Sequence, residues 1–268
     1  MSYEALAVER DGPVLRVALN RPEVRNAMSP VMLAELAQAF GEARDNPEVR
    51  VLVLKGNGGT FSAGGDFRNM QKSEAARGAG VAETAARNRR FGTFLEMASV
   101  FPKALVTLVE GACMGGGVGL LAVSDWVIAE RSAQIGTPEV TVGIVPAQIT
   151  PFILERIGSA HGRRLTCFGL RLSAEEAFRL GLVHDLADGP QDLVARGVAA
   201  VNQVLRCAPS ALAETKALVR RSQREPLSDV LDAASHMFAH ALAGEAKEGI
   251  GAFLEKRKPA WVSKIETL

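Results

Sequence analysis

The chain of 268 residues is 47% hydrophobic and 23% charged, which is ordinary globular composition with ample length for a buried core. A formal net charge of +1 gives no global pull toward nucleic acid or an anionic membrane surface. Three widely spaced cysteines, Cys113, Cys167 and Cys207, form neither a CxxC pair nor a zinc-like set, so a reducing cytosolic compartment fits.

The N-terminal MSYEALAVERDG carries charges where a signal peptide would carry an apolar core. No apolar run approaches the roughly 20 residues of a membrane-spanning helix. A cytoplasmic location with no membrane partner and no nucleic-acid partner is therefore expected. VLRVALN (14–20) reads as a strand and NRPEVRNAMSP (20–30) as a proline-broken loop. The spacing of Leu33, Leu36, Ala37 and Phe40 predicts one buried face of a helix over 31–45. VRVLVLKG (49–56) is continuously apolar, as interior strands often are. GNGGTFSAGGD (56–66) is a glycine loop, with Asp66 expected as the N-cap of a following helix. Residues 72–92 are rich in Ala and Arg and read as a mobile helical segment.

ALVTLVEG (104–111) is the next strand. Five glycines, Gly111, Gly115, Gly116, Gly117 and Gly119, then lead into a helix. WVIAE (126–130) and QIG (134–136) read as short strands. SAEEAFRLGLV (173–183) opens on a capping box of Ser173 and Glu176. Helices are predicted near 191–206, 209–223, 227–242 and 244–256, with Pro209 and Pro226 marking two of their starts. Residues 50–70 and 104–123 share one grammar of strand, glycine turn and short helix. That repeat suggests an α/β coil of strand–helix turns rather than one open sheet.

Glycine in a helix costs on the order of 1 kcal/mol relative to alanine, so a stack of glycines implies a use for bare backbone. A glycine turn that opens a helix aims unpartnered N–H groups and partial positive charge at one point. Such a point holds a phosphate or an oxyanion developing on a carbonyl. Neither GxxxxGK[ST], GxGxxG nor GxSxG occurs in these turns. Two turns contributing one N–H each to a shared oxyanion site remain an alternative to two turns that are merely tight.

FSAGGDF (61–67), GACMGGGVGL (111–120) and TPEVTVGIVP (137–146) resemble the three hallmark segments of the enoyl-CoA hydratase/isomerase, or crotonase, family. NRPEVRNAMS (20–29), FPKALV (101–106), AEEAFRLGLV (174–183) and EGIGAFLEKRKP (248–259) are similar to it as well, so the resemblance spans essentially the whole chain. Segment 143–158 resembles hydratases of branched glutaconyl-type CoA thioesters, such as isohexenylglutaconyl-CoA hydratase. The resemblance implies a crotonase-like superhelix of ββα repeats over 1–195, carrying the CoA and oxyanion site. It implies a C-terminal helical trimerisation region over 196–268, and a homotrimer or a hexamer built as a dimer of trimers.

The resemblance also implies catalysis without a separate cofactor or metal, since coenzyme A arrives as part of an acyl-CoA substrate. Its oxyanion donors map to the backbone N–H groups of Gly65 and Gly116. Glu139 maps to one of two family glutamates, and Gly119 stands where two-acid members carry the other. A lone Glu139 serves hydration of a 2-enoyl-CoA or, alternatively, Δ3–Δ2 enoyl-CoA isomerisation; a non-catalytic CoA-binding homologue is a third reading. On the residues alone, Glu139 also reads as a helix N-terminal charge. Near an acyl pocket its pKa is expected to be raised. Gly119 is expected to open space for a branched acyl chain or an ordered water.

For the CoA handle, the resemblance points to Arg25 at the phosphates, the Ala63 carbonyl at the adenine amine, and Phe253 with Lys256 at the adenine end, often from a neighbouring subunit. Arg87, Arg89 and Arg90 are further phosphate candidates, on composition. Phe91, Phe94, Leu95, Val142 and Ile144 are expected acyl-pocket walls. Asp125 is expected as a buried structural hydrogen-bonder, Glu110 as a strand-end residue, and the cysteines as small core residues. His236 and His240 lie four apart without an HExxH pattern, and His161 and His184 have no motif partner.

Overall fold

Strand residues that are apolar on both faces build the centre of the molecule. In the computed structural model, which describes residues 3–66, 78 and 80–268, β3 (Val51–Gly56) and β4 (Ala104–Val109) lie parallel at the middle of a six-stranded sheet. Their side chains alternate between faces, the period of a strand. Leu52, Leu54, Leu105 and Val109 enter one core, while Val51, Val53, Val106 and Leu108 enter a second on the other side. The sheet order is β1 (Leu6–Asp11), β2 (Val14–Leu19), β3, β4, β6 (Trp126–Glu130) and β9 (Asp185–Ala187). Only the β1–β2 hairpin at one edge is antiparallel.

The first core is covered by α1 (Pro30–Asp45), α2 (Val81–Ser99) and α3 (Gly116–Val123). Ser29 caps α1 by accepting from Met32 N at 3.1 Å. The buried stripe of α1 is Met32, Leu36, Ala39, Phe40 and Ala43. Leu36 and Phe40 are as expected, while Leu33 and Ala37 sit at its margin. Phe40 meets Phe94 of α2 edge-on, with ring centroids 5.3 Å apart. Helix α2 continues past Gly92 to Ser99, further than the expected segment. Residues 72–77 and 79 of that segment, and any helix begun by Asp66, lie outside the described residues.

A smaller sheet holds β5 (Ala112–Met114), β7 (Gln134–Gly136) and β8 (Arg171–Ser173). After a 3-10 turn over Pro138–Val142 comes α4 (Thr150–Cys167), interrupted where Gly158 adopts φ +73°. Ser173 and Glu176 form the predicted capping box on α5 (Ala174–Arg179). Helix α6 (Pro190–Val204) covers the second core. Helices α7 (Pro209–Ser222), α8 (Leu227–Ala243) and α9 (Ala246–Leu254) follow. Leu227, Leu231, Phe238, Leu242, Ile250 and Phe253 leave a long apolar stripe of α8 and α9 exposed. Among the described residues no helix is long and apolar enough to cross a membrane.

Candidate active site

Two glycine turns meet where β3 and β4 end. The chain after each strand runs side by side: Ser62 N donates to Ala112 O at 2.9 Å, and Met114 N donates to Ser62 O at 2.9 Å. The turns are then in contact, because a Cβ added to Gly64 would lie 3.0 Å from Met114 O and 3.6 Å from Gly115 Cα. Only glycine allows this approach, and Gly64 and Gly115 also carry φ of +90° and +51°. Gly65 follows one turn and Gly116 the other. Among the described residues, neither backbone N–H donates to a protein acceptor. Gly116 is the first residue of α3, so its N–H has no partner within the helix.

The first turn is braced from beneath. Ser62 Oγ donates to Asn26 O at 2.8 Å and accepts from Gly64 N at 3.2 Å. Asn26 is fully buried with φ +54°. Its Oδ1 accepts from Arg21 N at 2.8 Å, and its Nδ2 donates to Asn57 O and Thr60 O at 2.8 and 2.7 Å. One side chain thus joins the 20–30 loop to the 56–66 loop. Sequence reasoning missed it: an amide residue inside the proline-broken loop tolerates positive φ, but nothing local shows that it bridges to the second loop.

Glu139 reaches the same place from the third segment. Gly115 N donates to Gly136 O at 2.8 Å, and Thr137 Oγ1 donates to Leu165 O at 2.9 Å, which anchors the start of the 3-10 turn. A Cβ on Gly115 would lie 2.6 Å from Glu139 Oε1. Glu139 Oε2 is buried without a hydrogen-bond partner. Burial pushes the Glu139 carboxyl above the ordinary carboxylate range, partly offset by its own backbone N–H. An acid held in that state, beside two undirected N–H groups, can pass a proton to and from carbon while the amides hold developing oxygen charge.

Over Gly116 stand Met28 and Phe91: an added Cβ would lie 2.9 Å from Met28 Sδ and 3.2 Å from Phe91 Cζ. Phe94 and Leu95 are buried in the first core, Phe94 against Phe40, while Val142 and Ile144 are exposed. Gly119 is buried, and the space beside it is filled. A Cβ there would lie 2.6 Å from Ile149 Cγ2 and 3.2 Å from Leu95 Cδ1. The expected opening is therefore absent: the chain supplies an isoleucine methyl from 30 positions downstream to occupy it.

Arg25 sits at φ +52° with an exposed side chain, and its carbonyl accepts from Ala63 N at 2.8 Å. The Ala63 carbonyl accepts no hydrogen bond among the described residues. Arg25 and Ala63 are thus brought to the first glycine turn. Phe253 and Lys256 are not. They lie at the end of α9, which leads into a tail whose Trp261 carbonyl accepts from Arg50 Nη1 at 3.1 Å. Arg50 precedes β3, at the opposite end of the strand from Gly56. Arg87 pairs with Glu83 and Arg89 with Glu96, each at 2.9 Å along α2, and Arg90 is exposed.

The remaining candidates have structural surroundings. Asp66 Oδ2 accepts from Arg21 Nη1 at 3.1 Å. Asp125 accepts from Leu105 N at 2.8 Å and Lys216 Nζ at 2.5 Å, a structural role as expected, although the residue is exposed rather than buried. Glu110 is half-buried, and burial with the nearby Glu130 raises its pKa. Cys113 is buried, and its thiol is pushed up by that burial, whereas Cys167 and Cys207 are exposed and not core residues. His184 accepts from Val127 N at 2.8 Å and meets Arg156 Nη2 at 2.6 Å; burial and that cation lower its pKa to about 4. His161, His236 and His240 are exposed.

The sequence model of the enoyl-CoA hydratase/isomerase family matches residues 9–264. Among solved structures, that of Pseudomonas aeruginosa AtuE is 47% identical with a TM-score of 0.94, covering 97% of this chain and 100% of that one. An enoyl-CoA hydratase/isomerase from Marinobacter aquaeolei is 44% identical with a TM-score of 0.91, covering 97% and 99%. A 2,3-dehydroadipyl-CoA hydratase of Escherichia coli is 32% identical over 257 residues, 95% of this chain and 97% of that protein.

Proposed function

Because the chain belongs to the enoyl-CoA hydratase/isomerase family, we propose that it hydrates a 2-enoyl-CoA thioester, with Glu139 as its acid–base group. The carrying observation is the convergence of Glu139 with the Gly115–Gly116 turn, its Oε1 beside Gly115 and its Oε2 buried without a partner. In this reading the thioester oxygen lies between the N–H groups of Gly65 and Gly116. Water adds to Cβ and gives a proton to Glu139, while the C=C electrons move onto the carbonyl oxygen as an enolate. Glu139 then returns the proton to Cα. Each amide would stabilise the enolate by about 3 kcal/mol, the scale of one oxyanion-hole donor.

The acyl group proposed is branched and glutaconyl-like, on the resemblance of segment 143–158. Arg25 would meet the CoA phosphates and the Ala63 carbonyl the adenine amine. Phe253 and Lys256, far along the sheet from Ala63 in their own chain, would serve a neighbouring subunit of a homotrimer. The exposed apolar stripe of α8 and α9 supports such an assembly.

Filling of the space beside Gly119 by Ile149 supports a second reading, Δ3–Δ2 isomerisation. There Glu139 takes a proton from Cα and returns it at Cγ, and no water is needed. Incubation with trans-2-, trans-3- and branched glutaconyl-type CoA thioesters, with product identification, separates the two. A 3-hydroxyacyl product supports hydration; exclusive double-bond migration replaces it with isomerisation. Tight acyl-CoA binding without turnover would leave a non-catalytic CoA-binding role.

A further inference from the structure

Two adjacent residues, Gln148 and Ile149, each fill a notch left by glycine on a different helix. Ile149 occupies the notch at Gly119 of α3, 2.6 Å from where a Cβ would stand. Gln148 occupies the notch at Gly92 of α2, where an added Cβ would overlap its carboxamide oxygen. Gln148 Nε2 donates to Asn88 Oδ1 at 2.7 Å, one turn earlier on α2. Among the described residues, no other side-chain hydrogen bond joins α2 to another element. The first half of α2 is almost wholly exposed, so few contacts place it.

The notched faces converge on the candidate site. Gly116 and Gly119 are three apart on α3, and Phe91 and Leu95 are four apart on α2, so each pair shares a helix face. Phe91 stands over Gly116, and Leu95 with Ile149 over Gly119. Leu95 and Ile149 are buried and cannot swing into solvent. The 148–149 step is therefore wedged between the two helices beside that contact.

We propose that Gln148 is a positioning residue: seated on Gly92 and bonded to Asn88, it fixes α2 and with it how closely Phe91 stands over Gly116. That a thioester approaches Gly116 beneath Phe91 rests on the function proposed above; the seating of Gln148 does not.

The test uses the full chain with Gln148→Ala, Gln148→Glu, Gly92→Ala and the Gly92→Ala/Gln148→Ala double variant. Butyryl-CoA affinity is measured by calorimetry, with kcat and KM on a trans-2-enoyl-CoA and the melting temperature alongside. Gln148→Ala and Gly92→Ala are each expected to weaken butyryl-CoA binding about tenfold, the scale of one lost hydrogen bond. Gln148→Ala should keep its melting temperature. Gln148→Glu, still able to accept from the Asn88 amide after a flip, should stay near wild type. The double variant should match Gln148→Ala rather than add the two losses, because the seat is already empty.

Wild-type affinity and kinetics in Gln148→Ala overturn the proposal, as do additive losses in the double variant. Equal losses in the Ala and Glu variants that track a fall in melting temperature also overturn it. If wild type turns over no enoyl thioester yet butyryl-CoA binding falls as expected in Gln148→Ala, the functional reading fails and the positioning role stands.

Discussion

The backbone N–H of Gly115 donates to the carbonyl of Gly136 at 2.8 Å. This bond joins the turn that precedes Gly116 to the strand that leads, three residues later, to Glu139. Amide and carboxylate are thus placed by one backbone bond across two separate segments. Gly115→Ala should break the arrangement twice over. Its φ of +51° with ψ −115° is a conformation essentially reserved for glycine, costing a side chain about 1–3 kcal/mol, and the new Cβ would press on Glu139 Oε1. The expected outcome is a loss of kcat/KM of at least about 100-fold, with a melting temperature only a few degrees lower. Steady-state kinetics beside thermal unfolding checks it.

Gly116→Val should block thioester binding while the chain still folds. Met28 Sδ and Phe91 Cζ, 2.9 and 3.2 Å from the new Cβ, are side-chain atoms and can yield. Bulk there then stands where the thioester must approach the amide. Calorimetry with an acyl-CoA should show binding lost or severely weakened; wild-type activity in a folded Gly116→Val protein would remove Gly116 from the site.

Asn26→Ala should loosen the first glycine turn. It strands Asn57 O and Thr60 O without their donor and Arg21 N without its acceptor. Leaving buried partners unpaired costs about 1–3 kcal/mol each, so a total on the order of 3 kcal/mol is expected after partial rehydration. Denaturant unfolding measures this directly, and the activity loss should exceed that expected from the unfolded fraction alone.

Glu139 carries an unusual pH signature. Its folded pKa is raised above the unfolded value by burial, so the native state holds its proton more tightly. The stability it contributes is fully present below the unfolded pKa and is lost as pH rises through the folded pKa. Glu139→Gln should therefore unfold at a higher temperature than wild type at pH 8, and the gap should close toward pH 4. Wild-type turnover by an ionised base should rise with pH through that same raised pKa. Thermal scans and a pH–rate profile test both limbs.

The glycine turns, the strands at 51–56 and 104–109, and the C-terminal helices were legible because each is announced by local composition. Leu6–Asp11 was not: an edge strand carries Glu9, Arg10 and Asp11 toward solvent, and its pairing partner is set by the hairpin rather than by apolar content. Helix Thr150–Cys167 was hidden by Pro151 and by the break at Gly158. The family resemblance picked out Gly119 as a departure, but only packing reveals what the departure does. Ile149 is distant in sequence, and its methyl turns an expected opening into a closed apolar contact. Likewise no local pattern marks Asn26 as the brace between two loops, since its partners lie on residues 21, 57 and 60.

The central claim is that Glu139 alone moves the proton at Cα. The most direct test is turnover of a 2-enoyl-CoA in deuterated water by wild type and by Glu139→Gln, following product formation and deuterium at Cα. Wild type should place one deuterium at Cα of a 3-hydroxyacyl thioester. Glu139→Gln, folded and still binding the thioester, should be slower by at least about 100-fold in both readouts. Product formation and Cα labelling within tenfold of wild type in Glu139→Gln would contradict the account.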